Sequence, residues 1–395
     1  MTKITDIPAI RFKGFSDTWE QRKLGEIGSV SMCRRIFKEQ TSENGEIPFY
    51  KIGTFGGEAD AFISRELFEE YKAKYQYPKK GDILISASGS IGRTVVFTGK
   101  NEYFQDSNIV WLNHDKHLDN SFLKCFYSIV KWAGIEGSTI KRLYNDNILN
   151  TAITLPSVEE QQKIGAYFEN LDNLITLHQR KYDKLTNVKK SMLEKMFPQN
   201  GSNVPEIRFK GFTEAWEQRK LGEVAKYRNG KAHENCIDES GKYIVVNSKF
   251  VSTNGTVIKH SNMQNEPLAQ NEIAFVLSDV PNGRAIARTF LVEENDKYTL
   301  NQRIAGITSS ENTYPYFLHI LMNRHPYFLA FDDGVKQTNL SVSDVLNFET
   351  YYPEYEEQKQ IGEYFRNLDR LITLHQRELE KLKNLKKACL EKMFV

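Results

Sequence analysis

The alternation of apolar and polar positions is most regular over residues 159–197 and again over residues 356–394. In the first stretch, apolar or aromatic side chains fall at Ile164, Phe168, Leu171, Ile175, Tyr182, Leu185, Met192 and Met196. Steps of four and three residues make a heptad seam, which predicts one long amphipathic helix. The second stretch repeats the seam at Ile361, Phe365, Leu368, Ile372, Leu379, Leu382, Cys389 and Met393. A helix of 39 residues is about 58 Å long at 1.5 Å per residue. Such a seam needs a partner, and the nearest one is the other copy. His178 and His375 lie on the seam, each at the midpoint of its stretch. Symmetric antiparallel pairing is expected to bring them together, where a polar seam residue fixes register. The seam lapses at Lys189 and Lys386, where a local shift of the coil is expected.

The two stretches are copies. Residues 159–180 and 356–377 agree at 17 of 22 positions, and residues 10–27 and 207–224 agree at 14 of 18, both at an offset of 197. The chain is therefore a tandem duplication. The intervening regions, 28–155 and 225–352, do not align, yet they have the same length. One scaffold carries two payloads. Pro198 and Gly201 mark a linker between them. Ser157-Val-Glu-Glu160 is a capping-box pattern for the first long helix. The second helix has Pro353 near its start and no such box, so its first turn is expected to fray.

Each payload reads as mixed α/β. In the first, residues 81–90, 91–99 and 108–113 are rich in β-branched and aromatic residues and predict strands, and 121–132 has helical spacing. In the second, 242–252, 272–278 and 284–292 predict strands, and 314–324 a helix. Loops close the payloads at 137–147 and 334–344. The expected fold class is α+β: two mixed α/β domains joined by two long antiparallel helices, a coiled coil, with an internal pseudo-twofold repeat. The expected divisions are residues 1–156, 157–197, 198–353 and 354–395.

Composition narrows the class. Charged residues make up 26% and the net charge is +2, which argues against a protein that coats nucleic acid but leaves local basic patches open. No apolar run approaches the roughly 20 residues of a membrane span, and the N-terminal segment has no apolar core of a signal peptide. Cytoplasm is the expected location. Cys33, Cys125, Cys236 and Cys389 are scattered, suggesting neither disulfides nor zinc. There is no Pro-Pro dipeptide, as a methyltransferase (N/D)PP(Y/F) motif requires. No GxxxxGK[ST], HExxH or GxSxG occurs either.

The repeated Trp-Glu-Gln-Arg-Lys-Leu-Gly-Glu entry segment, the EEQxxIGxYFxNLDxLIxLHQR helices and the loops GSTIKRLYND and GVKQTNLSVSD resemble the specificity subunit of type I restriction–modification systems. The resemblance covers essentially the whole chain. It implies two target recognition domains, each reading one half of a split double-stranded DNA target, with the helices as spacer. It implies no catalysis by this chain, and partnership with two methyltransferase subunits and with restriction subunits. S-adenosylmethionine, ATP and Mg are then expected on those partners and no cofactor on this chain. Two rivals stay open: a methyltransferase or nuclease with an unrecognised site, and a pure coiled-coil scaffold.

A DNA-reading surface needs cationic, amide and hydroxyl side chains on loops, because base edges present fixed donor and acceptor patterns. The first payload offers Arg34, Arg35 and Lys38; then Ser86, Ser88, Ser90 and Arg93 around a glycine turn; then Lys141, Arg142, Tyr144 and Asn145. The second offers Arg228 and Lys231, Asn247 and Lys249, Arg284, and Gln337, Thr338 and Asn339. Asn247 also suits a strand-end turn and Arg284 a hairpin. Trp19 and Trp216 sit in identical frames and read as core residues rather than base-stacking ones. For helix pairing the expected residues are Ile164, Phe168, Leu171, Ile175 and His178 with Ile361, Phe365, Leu368, Ile372 and His375. Asp172, Gln179, Arg180 and Lys184, with Asp369, Gln376, Arg377 and Lys381, read as outer-face residues, where two identical surfaces suit one partner bound twice.

Overall fold

The structure, a computed structural model, describes residues 7–133, 141–199 and 201–394. The chain divides into two units, Met1–Gln179 with Arg377–Val395, and Arg180–Gln376. The long helices are Val158–Lys195 and Tyr355–Met393. Each unit thus holds one α/β domain, the first half of the helix that follows it and the last half of the other.

In the first unit a four-stranded antiparallel sheet has the spatial order Gly28–Met32, Ile109–His114, Ile83–Ser86, Thr94–Val96. A second sheet places Ile47–Tyr50 between Phe62–Ile63 and Tyr103–Phe104, parallel to the latter. The entry strand Glu20–Lys23 pairs antiparallel with the exit strand Ala152–Leu155. The second unit repeats this plan. Its sheets run Ala225–Asn229, Ile304–Ser309, Ile273–Val276, Thr289–Leu291 and His260–Ser261, Tyr243–Val246, Tyr298–Leu300, and Glu217–Lys220 pairs with Glu349–Tyr352. Payloads that do not align in sequence therefore share one topology. The central strands Ile83–Ser86 and Ile273–Val276 are buried along their whole length, as short continuous apolar runs predict.

Several expected strands are shorter than their apolar runs; of 91–99 only Thr94–Val96 is a strand. Within 242–252 only Tyr243–Val246 is extended; Asn247 then accepts from Phe250 N–H (2.9 Å) and caps the helix Ser248–Ser252. Within 284–292 only Thr289–Leu291 is a strand, because Ala287 adopts φ +56° and turns the chain.

Much of the repeated sequence is explained by a buried polar clamp in each unit. Glu160 is fully buried and accepts both donors of Arg11 at 2.6 and 2.7 Å; Glu357 and Arg208 repeat the pair at 2.7 and 2.7 Å. Gln161 accepts from Asp119 N–H (2.8 Å), at the start of Asn120–Ile129, and donates to the His117 and Pro156 carbonyls. Gln358 does the same with Tyr314 N–H and the Asn312 and Pro353 carbonyls. Gly165 and Gly362 let the domain helix approach: a β-carbon on Gly165 would lie 1.7 Å from Ser121 Oγ, and one on Gly362 2.7 Å from the Tyr314 ring. Each clamp is backed by four aromatics, Trp19, Phe122, Phe168 and Phe394 in the first unit and Trp216, Phe317, Phe365 and Phe197 in the second. Trp19 and Trp216 are core residues accordingly.

Inside each unit the two helix halves run antiparallel. In the first, Tyr167 meets Cys389 and Asp172 meets Lys386; in the second, Lys189 meets Asp369. The lapses in the seam at Lys189 and Lys386 are thus filled by ion pairs of 2.5 Å. Asp172 also binds Lys124 at 3.2 Å, and Asp369 accepts from the Tyr316 hydroxyl at 3.0 Å. This corrects the outer-face reading of both aspartates. Ile164, Phe168, Leu171, Ile361, Phe365 and Leu368 are buried, packing against their domains as well as along the seam. Ile175, His178, Ile372 and His375 are half-buried.

Two predictions follow from burial. Glu160→Ala leaves the Arg11 guanidinium enclosed without its counter-charge, and is expected to cost the first unit about 3–5 kcal/mol. Urea unfolding of the full chain checks this, and a loss below about 1 kcal/mol would show the pair to be incidental. In the second unit, burial pushes His319 and His325 down to about 4. His319 Nδ1 is shut off from water without a hydrogen-bond partner, and His325 Nδ1 accepts from Tyr327 N–H. The unfolded chain, with ordinary histidines, binds more protons between pH 4 and 6.5, so stability is full above about pH 6.5 and falls as pH drops towards 4. His319→Phe is expected to flatten that fall in urea midpoints measured at pH 7 and 4.5; an unchanged slope would count against burial of the neutral ring as its cause.

Candidate nucleic-acid interface

At the end of Ile83–Ser86 the first unit gathers its three predicted loops on one rim. Leu143 N–H donates to Ala87 O at 2.8 Å, and Ser88 forms a β-bridge with Arg142. Ser88 Oγ donates to Asn108 Oδ1 (2.8 Å), and Arg142 Nη2 to Ser107 O (3.0 Å). Arg35 pairs with Asp106 at 3.2 Å, and Tyr103 donates to Arg34 O at 3.1 Å. Residues 105–108, absent from the sequence-based list, are therefore the seat on which the loops meet. Arg34, Arg35, Lys38, Ser90, Arg93, Lys141, Tyr144 and Asn145 are exposed, whereas Arg142 is half-buried. Arg34 lies over the Tyr75 ring, and Arg93 reaches Gly56 O at 3.4 Å. Ser86 belongs to the scaffold instead: it is 1% exposed and its hydroxyl donates to Ser90 O, so it shapes the turn rather than facing a ligand.

The second unit builds the matching rim. Leu340 N–H donates to Leu277 O (2.8 Å), and Ser278–Asp279 pairs with Thr338–Asn339. Gln337 Nε2 donates to Ser278 Oγ (2.8 Å), and Asn282 Nδ2 to Gly334 O (3.2 Å). Arg284, Gln337 and Asn339 are exposed there, whereas Thr338 is buried with its hydroxyl unpartnered. By backbone position Asn339 is the counterpart of Arg142. Arg228 and Lys231 sit apart, in an ion-pair cluster. Arg228 binds Glu272 through two 2.7 Å bonds and also binds Glu266, which Lys231 reaches at 2.8 Å. The hydrogen bond from Lys231, with Arg228 adding to it, holds the Glu266 carboxyl below its usual range. Both cations are thus neutralised within the domain, and Asn247 is occupied as a helix cap. Lys249 is exposed on that short helix.

Sequence reasoning missed two kinds of residue. Val280, Val335 and Phe331 are exposed at the tips of the second unit's loops, the first two at 63% and 76%; apolar tips suit thymine methyls, but nothing in their sequence pattern distinguishes them from core. Arg288 and Arg324 lie beside Arg284. The Arg-Thr-apolar-apolar pattern shared by residues 93–96 and 288–291 is the signal that could have singled out Arg288. Among the described residues no group of three or more His, Cys, Asp or Glu could hold a metal ion, and no helix is long and apolar enough to cross a membrane.

Known proteins agree with this plan. The family model for the type I restriction modification DNA specificity domain matches residues 16–187 and 213–384. A stretch of 158 residues is 60% identical to S.HindORF215P of Haemophilus influenzae, whose name places it among type I restriction enzyme specificity subunits; the match covers 39% of this chain and 41% of that protein. The type I restriction enzyme MjaVIII specificity subunit of Methanocaldococcus jannaschii is 26% identical over 329 residues, 78% of this chain and 74% of the relative. In fold, the chain is similar to a crystal structure of the type I restriction–modification S subunit from M. genitalium, with a TM-score of 0.68 at 16% identity over 98% of this chain and 99% of that one. With two copies of the domain that together span most of its length, the chain belongs to the type I restriction modification DNA specificity family.

Proposed function

We propose that this chain, without catalysis of its own, selects the DNA sequence on which a type I restriction–modification complex acts, each unit reading one half of a split, asymmetric duplex target. The observation that carries the reading is the contrast between equivalent rim positions. Both units share strand order, clamp and terminal loop, yet Arg142 in one stands where Asn339 stands in the other. Arginine presents a donor fork suited to guanine O6 and N7, and asparagine a donor–acceptor pair suited to adenine N6 and N7. A common frame with different edge chemistry is what two unlike half-sites require.

The helices offer support for the partners that this reading implies. Leu174, Leu177, Leu371 and Leu374 are 42–51% exposed and occupy identical frames in the two copies. Neither the clamps nor the seam accounts for them. They support one methyltransferase subunit docking on each copy, with restriction subunits joining for cleavage. S-adenosylmethionine, ATP and Mg then belong to those subunits, and the complex works in the cytoplasm.

Exchanging residues 28–155 for the corresponding region of another family member, in the assembled methyltransferase, is expected to alter one half of the methylated sequence and leave the other intact. Genome-wide mapping of methylated sites reads the outcome, and a change in both halves would refute one-unit, one-half reading. Arg142→Ala and Asn339→Ala are each expected to weaken discrimination by about 1–3 kcal/mol at a single base pair, in opposite halves. Competition binding against singly substituted duplexes measures it.

A further inference from the structure

The turn between Ile273–Val276 and Thr289–Leu291 carries a cluster of cations that the first unit lacks. The turns are equivalent in their hydrogen bonds: Gly92 and Ala287 donate to Ser86 O and Val276 O, and those residues' own N–H groups donate to Arg93 O and Arg288 O. Arg93 and Arg288 therefore hold one topological position. Arg288 has company. Its Nε donates to Arg284 O at 2.6 Å. Arg324 hands its backbone N–H to Ala287 O at 2.8 Å and points Nη1 at the carbonyls of Gly283 and Ile286, at 3.5 and 3.4 Å. Two guanidiniums, Arg288 and Arg324, are thus moored to a single turn by main-chain oxygens, and the exposed Arg284 stands beside them. Among the described residues no carboxylate pairs with any of them. Asp279, the acid of the same turn, is occupied by the N–H groups of Ala285 and Ile286 at 2.5 and 3.0 Å. Burial first, and then the neighbouring guanidiniums of Arg324 and Arg284, press the Arg288 pKa down.

Like charges moored together without an acid are unfavourable until an anion arrives. Ala287 and Arg324, which bracket the cluster, both adopt left-handed φ, +56° and +58°, a region that residues with a β-carbon seldom enter. We propose that Arg284, Arg288 and Arg324 form a clamp for a phosphodiester group of duplex DNA. This inference rests on the reading of the chain as a DNA-specificity subunit. A guanine edge engages a single guanidinium fork, whereas three guanidiniums lie together at this turn. Phosphate oxygens accept single donors from several cations. The clamp also adjoins the rim, because Asn282 of the same turn binds Gly334 of the loop that carries Gln337 and Asn339.

The test uses the full chain assembled with its methyltransferase subunits, and two labelled duplexes of equal length, one with the mapped target and one with that sequence scrambled. Binding is followed by fluorescence anisotropy from 50 to 300 mM KCl. Arg288→Gln with Arg324→Gln is expected to weaken both duplexes by a common factor, roughly eightfold at 0.1 M salt for one lost phosphate contact, and to make the salt dependence shallower by about one unit of slope. Arg284→Gln, an exposed side chain whose loss leaves the turn's hydrogen bonds in place, is expected to shift both in the same sense, so the clamp stays testable if the double variant unfolds. Arg288→Lys is expected to restore part of the loss. Unchanged affinity and slope in Arg284→Gln and in a folded double variant would overturn the clamp while leaving the specificity reading intact. Loss confined to the target duplex would overturn it in favour of a base contact. If the wild-type complex binds neither duplex, the specificity reading fails and the clamp with it.

Discussion

The fold depends on burying one carboxylate in each unit. Glu160 and Glu357 lie at the start of the long helices, shielded from water, and each is neutralised by a guanidinium from an entry segment 149 residues upstream. An unpaired carboxylate in that position is untenable, since desolvating a charge without a partner costs several kcal/mol. The entry segment is therefore bound to the helix that follows the domain, and everything between them is held at both ends. Gln161 and Gln358 extend the constraint by tying the next helix of the domain to the same turn. Gly165 and Gly362 bring that helix close enough for the ties to form. Position and orientation of each domain on its helices are fixed by polar geometry, with the aromatic foursome supplying area rather than direction.

That constraint explains how the payloads differ so freely. The residues that recur at an offset of 197 are those of the clamp, the seam and the entry strands. The residues that differ are those of the rim. Arg142 and Asn339 are reached by the same backbone path, with Leu143 and Leu340 pinned to Ala87 and Leu277. Side-chain chemistry at the rim can change without altering any bond that holds the frame.

The sequence made the frame legible because its signals are periodic or duplicated. The heptad spacing located both helices to within a few residues, and the paired tryptophans read correctly as core. The common topology of the payloads was not legible, since two sheets can be filled by quite different apolar residues. The rim was partly legible. The three loops named in the first unit do meet at one edge, at the end of Ile83–Ser86, but a cation in sequence does not reveal its counter-ion. Arg228 and Lys231 face Glu266 and Glu272, some 35–44 positions away, and are neutralised by them. Ser86 illustrates the opposite error, a polar residue facing inward because its hydroxyl closes a turn. Asp172 and Asp369, read as outer-face residues, are instead engaged by lysines of the neighbouring elements, and Glu160, Gln161 and their counterparts are alike because they are buried.

The composition of the first unit has a consequence in time. Its aromatic foursome includes Phe394, and its helix pair is completed by the segment from Arg377 onward. On the ribosome, Trp19, Phe122 and Phe168 emerge 375, 272 and 226 residues before the ring that covers them. At roughly 5–20 residues per second the intervals span about 10–75 s. Throughout that time the first domain exists with an apolar face open, while the second unit, all of whose parts are contiguous in the chain, can close as it is made. The domain synthesised first is thus the last to be finished, and the burden of avoiding premature association falls on the earliest part of the chain.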